Sequence, residues 1–178
     1  ELARHDLVAV SISVTSLDPT LSGHLEPRAA SPAKRLKALE KLVKHAVPAH
    51  CSIAPVIPAI TDMFMEEIVA RAAEVGVENC GWIPLRLPHE VAPLFREWLE
   101  IHYPEPAGKV MGIVRSIRNG RDNDPDFFTR LRPKGVWADL FRARFRVACR
   151  RAGIENPPIE LDTVAFRPPQ TGRQLQLL

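Results

Sequence analysis

Apolar and polar positions alternate over residues 7 to 15, with Val10, Ile12 and Val14 on one side and Ser11, Ser13 and Thr15 on the other. Alternation of period two with β-branched residues predicts a strand with one apolar face and one small, polar face. The spacing then becomes helical. Ser31 followed by Pro32 is a helix start signal, and Leu36, Leu39, Val43 and Ala46 recur three or four residues apart. The pattern repeats twice more. A strand is predicted over about residues 49 to 57. A helix follows from about Asp62, carrying Met65, Ile68, Val69 and Ala72 and stopped by Gly76. A third strand, residues 80 to 87, leads to a helix in which Val91, Leu94, Phe95, Trp98 and Leu99 form one apolar stripe. Pro84 inside that strand removes a ladder hydrogen bond, which predicts an edge position or a local irregularity. Three βα units in succession imply parallel strands with right-handed crossovers, an α/β fold.

A parallel strand is normally buried on both sides. Ser11, Ser13 and Thr15 therefore need either backbone partners in a packed interior or a cavity filled by a polar ligand, as in a partial barrel. In either architecture ligands bind beyond the carboxyl ends of the strands. Those ends are residues 15 to 28, 55 to 62 and 85 to 87. At two of them a cation is well placed, Arg28 and Arg86, since a guanidinium binds a carboxylate or a phosphate bidentately. Asp62 is either a site carboxylate or a helix N-cap, and the cap is the simpler reading.

After Pro104 the character changes. Val110, Ile113, Val114 and Ile117 predict one helix; Trp137, Leu140, Phe141, Phe145 and Ala148 predict another over about residues 134 to 151, with arginines on its opposite face. The chain divides into an α/β part (1–104), a helical basic extension (105–153) and a Pro-rich tail (154–178). Composition, 46% apolar and 25% charged over 178 residues, suffices for a real core.

The net charge of +3 conceals a local block: residues 113 to 151 hold 11 Lys or Arg against 4 Asp or Glu. Arginine suits phosphate recognition, and Arg130, Arg132, Arg142 and Arg146 are candidate nucleic-acid contacts; a solvated helix face is the alternative. Phe127 and Phe128 either stack on an exposed base or anchor their loop to the core, and anchoring is favoured.

Cys51, Cys80 and Cys149 are too far apart in sequence for a disulfide framework or a metal motif, and they read as packed apolar side chains. His24, His50 and His89 show no metal-ligand spacing and receive no role. No apolar run approaches the roughly 18 residues of a membrane span, and no signal segment opens the chain. A cytoplasmic location without membrane contact is expected. A first residue of Glu1, leading almost directly into a strand, suggests a C-terminal fragment.

The runs "SISVTSLDPTLSGHLEPRAASPAKRLKALEKL", "APVIPAITD" and "GWIPLRLP" together resemble the C-terminal half of a radical S-adenosylmethionine protein of the spore photoproduct lyase-like group, often labelled DNA repair photolyase. Glu26-Pro27 with Ser31 and Arg35 is the closest match to the lyase itself. The run "RNGRDNDPDFFTRLRPKGVWADLFRARFRVACRRAG" resembles the C-terminal extension of one bacterial subgroup, so the likeness covers most of residues 7 to 152.

The resemblance implies strands four to six of a partial (βα)6 TIM-like barrel. It also implies, in the full-length protein, S-adenosylmethionine, a 4Fe–4S cluster, an external electron donor and hydrogen abstraction from DNA or another nucleic acid. The Cys-x3-Cys-x2-Cys motif that ligates the cluster is absent here, so the chain alone is expected to be inactive.

By the same likeness, Ser13 and Thr15 lie where the fourth strand meets the ribose or methionine, and Ile57 lies against adenine. Arg28 or Arg86 pairs with the methionine carboxylate or a substrate phosphate. Pro55 and Ala59 replace glycines of the fifth-strand motif, and Asp62 replaces its Glu, which narrows the adenine site at Ala59.

The last residues, "GRQLQLL", resemble peptides that bind the bacterial sliding clamp, with Gln174, Leu175, Leu177 and Leu178 as contacts; a plain disordered terminus is the simpler reading. The competing class of function is a non-catalytic α/β module that holds nucleic acid or a protein partner. Radical chemistry on another substrate is a third.

Overall fold

The computed structural model describes residues 1–165. A three-stranded parallel sheet, β1 (Val10–Ser13), β2 (Ala49–Val56) and β3 (Asn79–Pro84), runs in the order β1-β2-β3. Six α-helices accompany it among the described residues: α1 (Pro19–Leu25), α2 (Pro32–Lys44), α3 (Met65–Glu74), α4 (Val91–His102), α5 (Ala107–Ser116) and α6 (Val136–Ala152). The fold is α/β, with α2 and α3 as the crossovers. None of these helices is long and apolar enough to cross a membrane.

Register assigns the two faces. Ile12 stands opposite Cys51, Cys51 opposite Cys80, and Ile53 opposite Trp82. These residues join Leu39, Ile68, Val69, Ala72 and Phe141 in one apolar core, so α2, α3 and α6 all cover the same face. Alternation sends Ser11, Ser13, His50, Ser52, Gly81 and Ile83 to the other face, and none of them belongs to an apolar core. A second core closes the carboxyl ends of β2 and β3. There Ile57, Ile60, Leu85 and Leu87 pack on Ala92, Phe95 and Leu99 of α4 and Val110 and Val114 of α5.

Several elements differ from the sequence expectation. β1 is four residues long, although the Val14 N–H still reaches the Ser52 carbonyl at 2.8 Å. The expectation at Pro84 does hold: β3 is the edge strand of the described sheet, and its register with β2 shifts between Ile53 and Val56, the latter paired with Pro84. α1 is an unexpected helix in the loop after β1. Its signal was local: the Asp18 carboxylate accepts the Thr20 N–H at 2.7 Å and Pro19 occupies the first turn. Asp62 does not cap a helix. It opens a short 3-10 turn before α3, without a side-chain cap bond.

Two apolar stripes are also only partly buried. α4 buries Ala92, Phe95 and Leu99 and leaves Leu94 60% exposed. α6 buries Ala138, Phe141, Ala148 and Cys149 and leaves Trp137 and Leu140 at the surface.

Among the ties between the basic extension and the α/β part, Arg144 makes the most hydrogen bonds. From α6, Arg144 donates through Nε to Glu66 Oε1 at 2.7 Å and through Nη1 to Asp62 Oδ2 at 2.7 Å. Its Nη2 reaches Glu66 Oε2 at 2.9 Å and the Asp62 carbonyl at 2.6 Å. The hydrogen bonds from Arg144 hold the Glu66 carboxyl below its ordinary value of 4.5, against an opposing push from burial. That contribution to stability is complete above pH 4.5 and is lost as acid protonates Glu66 at its lower folded value. The site is partly open to water, so Arg144→Met is expected to cost about 2 kcal/mol in chemical denaturation. The variant should also lose less stability than the parent on acidification; an unchanged midpoint and acid profile would refute the clamp.

Candidate functional site

The face of the sheet opposite α2, α3 and α6 is polar along its centre, half-buried at Ser13 and His50 and buried at Ser52. Ser11 Oγ lies 3.0 Å from His50 Nδ1. The His50 ring lies over Gly81, where an added Cβ would come within 2.9 Å of Nε2. Burial holds the His50 pKa below its ordinary 6.5, with a smaller opposing pull from the Cys80 backbone, so the ring is neutral at pH 7. Ser52 stands beside Ser13 in the register. His50 and Ser52 carried no signal by spacing, because it is the pairing of β2 with β1 that brings them to Ser11 and Ser13.

At the carboxyl end of β1 the two expected cofactor residues are differently engaged. The buried Thr15 hydroxyl donates to the Ala54 carbonyl at 2.9 Å. Ser13 faces Arg35, whose Nη1 donates to the Ser13 carbonyl at 3.0 Å and to its hydroxyl at 3.3 Å. Arg35 also holds the Glu26 carboxylate at 2.7 Å and the Ala30 carbonyl at 2.9 Å. The loop from Glu26 to Arg35 is thus fastened to β1 by one guanidinium. Arg28 projects from it, exposed.

After β2 the chain turns sharply. The buried Thr61 hydroxyl accepts the Ile57 N–H at 2.7 Å and donates to the Pro55 carbonyl at 3.2 Å. Ala59 lies at φ +61° in this turn, a left-handed conformation that glycine adopts without strain. Ile57 is buried in the second core, and the Asp62 carboxylate belongs to Arg144.

After β3, Arg86 is half-buried and its Nε finds no acceptor among the described residues. It lies near Arg118, which is 4% exposed and was not singled out by the sequence.

The helical extension brings three of the four candidate nucleic-acid arginines to adjoining clefts. Arg142, Arg146 and Arg150, one turn apart on α6, line a cleft of about 620 Å³ with Trp82 of β3. Trp82 and Arg142 also line a neighbouring cleft of about 420 Å³ with Arg132 and Leu131. Arg142 is itself engaged with Asp139 at 2.5 Å and with the Pro133 carbonyl. Arg130 lies apart, its guanidinium 4.5 Å from the Phe127 ring centroid. Phe127 and Phe128 are 68% and 77% exposed, so they do not anchor the loop; Asp122, paired with Arg96 and Arg115, does. Gln174, Leu175, Leu177 and Leu178 lie outside the described residues.

The three cysteines are buried, free thiols in the helix-side core. Cys80 is pushed up by its neighbour Cys51 and by burial, and Cys149 by burial. Among the described residues no three His, Cys, Asp or Glu side chains stand together as a metal site.

No family model and no solved structure matches the chain. An uncharacterized protein of Mycobacterium tuberculosis and one of Mycobacterium bovis are each 25% identical to it over 117 residues, 65% of this chain and 34% of their own length. The chain thus spans about a third of the curated relatives it matches.

The turn and the thiols each give a test. Ala59→Gly should raise stability by about 0.5 kcal/mol, the relief of left-handed strain less the added freedom of the unfolded chain. A loss on thermal unfolding would mean that the methyl makes a better contact than it costs. All three thiols should resist a neutral-pH disulfide reagent in the native chain and react fully in denaturant. Rapid native labelling of any one would contradict its burial.

Proposed function

We propose that this chain forms strands four to six of a radical S-adenosylmethionine partial barrel, and that the full-length protein acts on nucleic acid as a lyase-like enzyme. The observation that carries the reading is the polar face of the sheet opposite the covering helices, on which Ser11 is exposed, Ser13 and His50 are half-buried and Ser52 is buried. Strands added in one direction, with α2, α3 and α6 on one side, are the winding of a barrel wall and equally of one half of a doubly wound sheet; hydroxyls on the opposite face favour the barrel, whose lumen can hold a polar ligand, over a face packed by further helices. The lumen side of such a wall is where Ser11, Ser13, His50 and Ser52 would meet a polar ligand.

When bound in the full-length protein, S-adenosylmethionine and its cluster would supply the hydrogen-abstracting radical chemistry. The cysteines of this chain do not suit the cluster, since all three are packed in the apolar core, and no step through it is assigned to them. The polar face suits part of the cofactor. Ser13 and Ser52 offer hydroxyls for ribose oxygens or a carboxylate, and neutral His50, its Nδ1 taken by Ser11, has Nε2 left to offer. Arg35 fixes Ser13. The arginines beside Trp82 supply the charge that a phosphodiester chain requires. One observation favours the alternative, a non-catalytic module: the Thr15 hydroxyl is already satisfied by Ala54.

The test is the complete natural open reading frame, expressed and reconstituted anaerobically with iron and sulfide. It should carry Cys-x3-Cys-x2-Cys upstream of this segment, show the visible absorption of a 4Fe–4S cluster and release 5′-deoxyadenosine. In that protein Ser52→Ala should raise KM for S-adenosylmethionine several-fold, and the 178-residue chain alone should show no cluster and no cleavage. A complete reading frame without the motif, or a cluster formed by this chain alone, would overturn the reading.

A further inference from the structure

The segment between α5 and α6 gathers cations into a further cleft, which shares Arg132 with the one beside Trp82. Asp122 pins its start to Arg115 Nε at 2.8 Å, and the Lys134 N–H closes its end on the Ile117 carbonyl at 3.1 Å. Between them lies a cleft of about 230 Å³, lined by Arg118, Arg121, Arg132 and Lys134 together with Asp124 and Thr129. Four cations face one carboxylate there. That carboxylate is engaged, accepting the Thr129 hydroxyl at 2.6 Å and the Asp126 N–H at 3.0 Å.

Arg118 is the buried wall of the cleft. Its Nη1 donates to the Arg130 carbonyl at 3.1 Å and its Nη2 to the Leu85 carbonyl, both uncharged acceptors, and its Nε meets no acceptor among the described residues. Burial and the nearby charge of Arg86 both disfavour the cation, with only Asp124 opposing them. A guanidinium kept in that setting is stabilised by an anion. The rim adds a second feature. Phe127 and Phe128 directly precede Thr129, their rings set edge-to-face at 5.5 Å and both exposed. Exposed aromatic faces beside phosphate-binding cations are the arrangement that holds unpaired bases, because a paired base has no free face to offer.

We propose that this cleft binds a phosphate group of a single-stranded nucleic acid, held by Arg118, Arg121, Arg132 and Lys134, with a neighbouring base stacked on Phe128. The proposal rests on the nucleic-acid substrate of the reading above and is independent of the radical chemistry.

Fluorescence anisotropy of the 178-residue chain with labelled oligothymidylate, across a salt series, tests it. Arg132→Gln and Lys134→Gln, both exposed positions, should each weaken binding several-fold and lower the salt slope by about 0.7. Phe128→Ala should weaken it about tenfold with the slope unchanged. Inorganic phosphate should compete, and a duplex of equal length should bind more weakly. Binding of phosphate without oligonucleotide would make the cleft a small-anion site and overturn the assignment. So would oligonucleotide binding that ignores all three substitutions, equal affinity for duplex, or no binding at all. Each of these failures leaves S-adenosylmethionine cleavage by the full-length protein unaffected, so the two readings fail separately.

Discussion

A parallel strand can be reached only by carrying the chain back across a face of the sheet, and a right-handed crossover from a strand to its next neighbour always returns over the same face. Here the strands are added in the order β1, β2, β3, so α2 and α3 lie side by side over Ile12, Cys51 and Cys80. α6 extends that layer, reaching Trp82 with Phe141 at a centroid distance of 6.1 Å. The opposite face receives nothing from the crossovers. Most of its side chains are polar, with Ile83 at its edge 38% exposed, which is what a face can carry when it is not packed into an apolar interior.

Arginine does most of the long-range fastening in this chain, and the charge of the extension is misread if that is ignored. Arg144 binds α6 to the start of α3, Arg35 binds the loop after α1 to β1, and Arg115 with Arg96 binds Asp122. These guanidiniums are saturated by carboxylates and carbonyls, and they have little left to give a ligand. The cations that remain differ in kind. Arg146 and Arg150 are exposed above the α6 cleft, and Arg118 is buried against uncharged acceptors. Sorting the block by partner, rather than by count, separates structural arginines from those that can meet phosphate.

What the sequence revealed follows the same division between local and distant causes. The period-two run at Val10 to Ser13, the crossover helices and the buried set of Val110, Ile113, Val114 and Ile117 were legible, because each depends on neighbours a few residues away. The burial of the cysteines was legible for a similar reason. Periodicity carries no record of contacts such as Arg144 with Asp62, 82 residues apart, or the placing of His50 beside Ser11. It also predicts a wider apolar stripe on α4 than the contact uses, since which part of a stripe is buried depends on the partner surface. Aromatic pairs usually anchor a loop, but here Asp122 fastens it through charge and Phe127 and Phe128 stay exposed.

β3 is where the two candidate surfaces meet. Gly81 and Ile83 look toward the polar face, while Trp82 between them looks toward α6 and the arginines. On the near side of its start, the Cys80 N–H is taken by Asn156 Oδ1 at 2.7 Å, so the free edge toward Pro84 is the open end. Pro84 itself borders the cleft that holds Arg132 and Arg142. A nucleic-acid strand held by those cations would pass the carboxyl end of β3, the end at which α/β folds carry their ligands. The basic extension is packed into the same cores as the sheet, so the arginine clefts keep a fixed place beside the carboxyl end of β3.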